Sequence, residues 1–103
     1  MLTNESYELL RRLAGAPESR RRARYRCVLV LFRSASAMPE VFEGVCGGRI
    51  LEEPRGTGGF GYDPLFLCDA LGRTFGEADG EEKDRVSHRG QALEKLLQRL
   101  GGA

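Results

Sequence analysis

The chain has 103 residues, of which 41% are hydrophobic and 30% charged, and its formal net charge is +1. That is enough chain for one compact domain with a core, and too little for two. A near-neutral balance supplies no global field to draw nucleic acid or a membrane surface, so neither is expected as a partner.

Residues 4–14 read as a helix. Leu9, Leu10 and Leu13 repeat at helical spacing, with Glu8, Arg11 and Arg12 on the polar side. Asn4 or Thr3 is placed to cap it, and Gly15 and Pro17 to end it. Tyr7 and the leucines are expected in the core. Residues 25–32 are apolar and β-branched, as in a buried strand. Before them Arg22, Arg24 and Arg26 alternate with Ala23, Tyr25 and Cys27, the pattern of a strand emerging into solvent. The arginine run from Arg20 to Arg26 reads as solvated rather than as a phosphate-binding patch.

Residues 34–39 form a loop. "EVFEGVCGGRILEEP" predicts a hairpin: a strand to Cys46, a turn at Gly47-Gly48, and a short strand around residues 49–51. A glycine-rich loop follows over residues 54–64, then the short apolar strand "LFLCD". Residues 70–85 are polar and turn-rich, with room for one short helical turn. Their acids Asp79, Glu81, Glu82 and Asp84 lack a metal-ligand spacing. Ser87 starts a last helix, with Leu93, Leu96, Leu97 and Leu100 as its apolar stripe and Gly101-Gly102 at its end. The class is α/β in the mixed α+β sense: one domain over residues 1–103, with a largely antiparallel sheet flanked by helices.

Cys27, Cys46 and Cys68 are odd in number and widely spaced, which disfavours a disulfide framework or a zinc site and suits a reduced, cytoplasmic compartment. "MLTNESYELLRRL" is too charged for a secretory signal, and no apolar run approaches the ~18–20 residues of a membrane span.

Two stretches carry chemistry. "RGTGGFGYDP", residues 55–64, fits G-x-G-x-x-G at Gly56, Gly58 and Gly61. A dinucleotide turn must open a helix, whose first amides bind pyrophosphate. Here Pro64 pushes Asp63 out of the α region and a strand follows, so the phosphate reading fails. A plain tight loop remains open. So does a site for a flat ligand, with an aromatic ring to stack on it and the Asp63 carboxylate to accept its N–H groups. The second stretch is "KDRVSHRGQAL". Ser87 is a good N-cap, which puts His88 and Arg89 in the first helical turn. Cations are disfavoured there, and Gly90 is a poor helix former. A ligand bearing acceptor atoms would account for both. So would an exposed first turn with Arg89 paired to a nearby acid.

Taken together, "FEGVCGGRILEEPRGTGGFGYDPLF" and "EEKDRVSHRGQALEKLL" closely resemble the C-terminal part of the inosine triphosphate pyrophosphatase family, also called XTP/dITP diphosphatases. The resemblance runs from about residue 4 to residue 100 and covers roughly the second half of the family's usual length. It implies an elongated α/β fold with a cleft between two lobes, a homodimer, and Mg²⁺ as cofactor. It implies hydrolysis of deaminated purine nucleoside triphosphates (ITP, dITP, XTP) to the monophosphate and pyrophosphate. By position, Phe60, Gly61, Tyr62 and Asp63 resemble the substrate loop, with Phe60 stacking on the purine and Asp63 meeting its edge or sugar side. Lys83 resembles a substrate-contacting lysine. His88 and Arg89 resemble the pair that reads the 6-keto oxygen.

The family's N-terminal lobe brings a Ser/Thr-x-Asn-x-x-Lys phosphate motif, a metal-binding glutamate and a water-activating aspartate. This chain has only Lys83 and Lys95, with Ala78 and Gly90 five residues before them, so the phosphate motif has no match. The chain is therefore expected to hold the base-recognition half without the N-terminal lobe, with no catalytic or metal-binding residue of its own. It is expected to be inactive in isolation and to associate, as a dimer or with an N-terminal part. The alternative is a catalytically inactive nucleotide-binding or interaction fragment.

Overall fold

The computed structural model describes residues 2–101. Helix α1 (Asn4–Arg12) is followed by a 3-10 turn (Glu18–Arg20) and strand β1 (Arg22–Leu31). Strands β2 (Glu40–Ile50), β3 (Phe66–Cys68) and β4 (Arg73–Thr74) complete one sheet of order β1-β2-β3-β4, antiparallel throughout. Helices α2 (Gly80–Val86) and α3 (His88–Gly101) close the chain. This is the mixed α and β class with an antiparallel sheet that the sequence predicts. No helix among the described residues is long and apolar enough to cross a membrane.

Thr3 caps α1, its Oγ1 accepting the Ser6 N–H at 3.1 Å. Leu9, Leu10 and Leu13 pack against a core of Cys46, Ile50, Leu65, Phe66, Cys68 and Phe75. Tyr7, expected in that core, faces solvent instead. Ser6 is buried and donates to the Gly61 carbonyl at 3.1 Å, tying α1 to the glycine loop. Arg21 departs from the solvated arginine run. It is only 4% exposed, and its guanidinium donates to the carbonyls of Ile50, Leu13 and Leu51 at 2.8, 2.9 and 3.0 Å. It thus locks the end of α1 onto the end of β2. In the core, Cys46 and Cys68 bring their sulfurs to 3.3 Å, and burial pushes the Cys46 thiol up to about 12.

Three further expectations need correction. Gly47-Gly48 is not a turn. Both lie inside β2, opposite Arg24 and Ala23, and neither takes a positive φ. A Cβ on Gly48 would sit 2.7 Å from Phe66 Cζ, so the glycine clears space for the neighbouring strand's aromatic ring. The hairpin is β1–β2, joined through the predicted 34–39 loop. Second, β1 is not buried. It is an edge strand with one open face, and Val28 and Val30 are half-exposed. Third, the α3 stripe does not enter the core. Leu93, Leu97 and Leu100 are about half-exposed, while small Ala92 is fully buried. The predicted closing residue Gly102 lies outside the described residues.

The reason Ala92 wins is clearance. A Cβ on Gly44 of β2 would overlap the His88 carbonyl oxygen and stand 2.8 Å from Gln91 Cβ. Glycine at 44 therefore lets the first turn of α3 lie directly on the sheet. Gly44→Ala is expected to destabilise the fold by about 1–3 kcal/mol through overpacking. Gly80, with nothing within 4 Å of a built Cβ, is the control: Gly80→Ala should stay within about 1 kcal/mol of wild type, on the stabilising side. Urea denaturation of both variants checks this, and equal midpoints would refute the clearance argument.

Candidate functional site

The glycine loop is pinned at its base. Leu51 N–H donates to Leu65 O at 2.9 Å, Arg55 N–H to Pro64 O at 2.8 Å, and Gly58 N–H to Gly76 O at 2.9 Å. The loop runs into β3 and no helix opens from it, so it offers no helix N-terminus to a phosphate. Gly59 takes φ +71°, and a Cβ there would stand 2.7 Å from Asp63 Cβ and overlap the carboxylate. A side chain at 59 would therefore displace the residue around which the site is built.

Asp63 is 4% exposed, yet its carboxylate meets three donors. Lys83 Nζ lies 2.6 Å from Oδ2, the Phe60 N–H 3.0 Å from Oδ2, and the Tyr25 hydroxyl 3.2 Å from Oδ1. A buried carboxylate is tolerated only when so satisfied. Burial, reinforced by the charge of Asp63, pushes the Tyr25 phenol well above its ordinary value, which keeps its proton on as a donor. Lys83 also lies over two rings, 5.0 Å from the Phe60 centroid and 5.5 Å from that of Phe75. Asp63 thus acts first as an anchor of the loop. Its expected contact with a ligand edge competes with three internal donors.

Across the cleft, Ser87 caps α3 as predicted: its Oγ accepts the Gly90 N–H at 3.0 Å. A Cβ on Gly90 would overlap the Asp84 carbonyl oxygen, so helix packing explains this glycine without a ligand. Arg89 is different. It is exposed, and among the described residues it makes no ion pair and no hydrogen bond with an acid. The His88 ring stacks on Tyr25, with centroids 4.8 Å apart and planes 16° from parallel. Its Nδ1 is buried without a partner among the described residues, which leaves Nε2 as the ring's outward polar atom. Burial lowers the His88 pKa, and the charges of Arg89 and Lys83 lower it further against the pull of Asp63.

All seven residues expected from the sequence line one open cavity of about 880 Å³: Phe60, Gly61, Tyr62, Asp63, Lys83, His88 and Arg89. Phe60 presents an exposed ring at its rim. Tyr25, Leu93 and Leu97 also line it, and no motif pointed to them. The alternation of β1 places Tyr25 on the inner face but cannot name its partners. The cavity offers a stacking ring, a neutral imidazole and a guanidinium with no acid partner among the described residues, which suits a flat ligand bearing acceptor atoms.

Residues 2–99 match the model of the Ham1 family. The chain is 52% identical over 97 residues to a dITP/XTP pyrophosphatase of Anaeromyxobacter sp. (strain Fw109-5), covering 90% of this chain and 42% of that protein. It is 48% identical over 94 residues to a dITP/XTP pyrophosphatase of Escherichia coli (strain K12), covering 90% and 48%. The fold matches a HAM1 protein from Coxiella burnetii with a TM-score of 0.84 and 43% identity, over 94% of this chain and 50% of that one. For the Ham1 protein of Staphylococcus aureus the TM-score is 0.85 at 33% identity, over 94% and 49%. The chain spans about half the length of the curated relatives it matches.

The His88 shift has a sign that can be checked. Its folded pKa lies below the unfolded value, ~6.5, so the unfolded chain binds this proton more readily. The stability it contributes is present above ~6.5 and falls as pH drops through and below that value. His88→Asn should therefore lose less stability than wild type between pH 7.5 and 5, by about the margin of one titrating group. Urea midpoints at the two pH values, with an NMR titration of the imidazole, measure it. A His88 pKa at or above ~6.5 contradicts the burial argument.

Proposed function

The chain belongs to the Ham1 family, and we propose that its cleft binds the purine of a deaminated nucleoside triphosphate (ITP, dITP or XTP) for hydrolysis to the monophosphate and pyrophosphate. One observation carries the reading. The exposed ring of Phe60, the Nε2 edge of His88 and the Arg89 guanidinium share a single cavity with the Asp63–Lys83 pair.

The division of work follows from the chemistry. Phe60 supplies a face for the base to stack on. Hypoxanthine and xanthine carry an acceptor at C6, where adenine carries an amine. Donors at His88 Nε2 and on Arg89 bond the first and leave the second facing like groups. A site built to hydrogen-bond rejects the mismatched analogue far more strongly than shape alone does. Asp63 holds Lys83 and the loop in place for this.

Magnesium, which the resemblance brings with the reaction, does not fit the side chains present. Asp63 is committed to three donors, and no group of three His, Cys, Asp or Glu side chains that could hold an ion occurs among the described residues. A second reading, nucleotide binding without hydrolysis, draws on the same fact: the side chains lining this cleft are binding groups.

Titration of the chain with ITP and with ATP tests the base reading. Arg89→Ala should weaken ITP by about tenfold or more and ATP by much less, as for a lost charge-assisted hydrogen bond. An equal loss for both nucleotides sinks the readout role. Pyrophosphate release from ITP, assayed alongside, separates hydrolysis from binding alone.

A further inference from the structure

Tyr25 stands on β1 between the two walls of the cleft. Its hydroxyl reaches Asp63 Oδ1 at 3.2 Å, and its ring lies on the His88 imidazole at 4.8 Å. Behind it the ring is held by Phe66 and Phe75, at 4.7 and 5.8 Å between centroids. One rigid side chain therefore touches both the anchor of the glycine loop and the first residue of α3.

We propose that Tyr25 is a positioning residue of this site: its hydroxyl orients the Asp63 carboxylate and its ring orients the His88 imidazole, setting the spacing between Phe60 and the His88–Arg89 pair. The consequence for ligand binding rests on the nucleotide reading above; the positioning itself does not.

The argument runs through the carboxylate. The terminal torsion of an aspartate is broad, so the carboxylate plane turns easily unless its partners fix it. In this site its two oxygens have separate work. Oδ2 takes both Lys83 and the Phe60 amide, while Oδ1 takes Tyr25. The phenol bond fixes the carboxylate plane, with one oxygen on Tyr25 and the other turned towards the loop. Without it, Lys83 is free to bridge both oxygens and release the Phe60 amide. That amide belongs to the residue whose ring forms the stacking face. The ring contact works separately. His88 Nδ1 has no hydrogen bond to fix the imidazole plane, so the flat face of Tyr25 is what holds it.

Tyr25→Phe removes one oxygen and keeps the ring, so the core packing survives. In this variant the Phe60 amide is expected to exchange with solvent about tenfold faster, as for loss of a bond to a charged group, while amides of β1 and β2 keep their rates. The His88 ring shifts stay as in wild type. ITP binding should weaken several-fold with the ITP-over-ATP ratio kept, because the imidazole is still held. Tyr25→Leu, which lacks the flat face, should lose that ratio as well. A uniform loss of stability would move strand and loop amides together and would not split the two variants.

Unchanged Phe60 exchange in Tyr25→Phe overturns the proposal. So does a Tyr25→Leu chain that folds and keeps the ITP preference. If the wild-type chain binds neither nucleotide, the nucleotide reading fails, and the ligand-free exchange still decides the positioning claim.

Discussion

A buried negative charge is the constraint on which this site is built. Asp63 is removed from water, and its desolvation must be offset by donors placed close and in the right directions. They come from three parts of the chain: Tyr25 on β1, the Phe60 amide in the loop, and Lys83 on α2. Moving any one of these elements away takes a donor from the carboxylate, and the loss of its charged partner Lys83 costs most, about 3–5 kcal/mol by analogy with broken buried pairs. The loop is glycine-rich yet fixed, because its one buried acid is fixed. The same bonds draw the Lys83 ammonium over the Phe60 ring, so the stacking residue is held from below while its face remains open.

Clearance is the second organising device. The glycines divide into those that bend the chain and those that make room. Gly59 does both, turning with φ +71° where a side chain would strike Asp63. Gly44, Gly48 and Gly90 lie in regular strand or helix and serve only close approach. Through Gly44 the first turn of α3 rests on β2; through Gly90 it rests against the end of α2. His88 and Arg89 are thus carried on a turn that is seated on two sides. Loop and helix reach the same cavity from opposite directions on rigid supports, as a recognition site requires.

The candidate site was legible in the sequence because its residues sit in two compact motifs. Local chemistry marked the loop and the His88–Arg89 turn as candidates, a carboxylate and aromatic rings among glycines and donors after an N-cap, while Lys83 and the roles of the residues came only through the family resemblance. The fold class was legible for a similar reason, since the helix caps and strand patterns are local. What stayed hidden depends on partners distant in the chain. Gly47-Gly48 reads as a turn until Phe66 is known to cross beside it. Arg21 reads as one more solvated arginine until three carbonyls, from Leu13, Ile50 and Leu51, converge on it. Tyr25 is an ordinary strand residue until Asp63 and His88 arrive. The leucine stripe of α3 and the valines of β1 carry the pattern of burial, but an amphipathic face is buried only where something packs on it.

The charges of the cleft also sort by role. Lys83 is paired with Asp63, so its charge is spent inside the protein. The depressed pKa of His88 makes its ring neutral near pH 7, a fixed dipole with one outward nitrogen. That leaves Arg89 as the cation of the rim without an acid partner among the described residues. Discrimination between hypoxanthine and adenine in such a site cannot come from net charge, because these two bases are both neutral near pH 7. It must come from where donors point. The neutral imidazole packed on Tyr25 has little freedom to turn away, and the guanidinium of Arg89 reaches out from a helix turn that is itself seated. Directional rigidity, not field strength, is therefore the property that the packing around Tyr25, Gly44 and Gly90 protects.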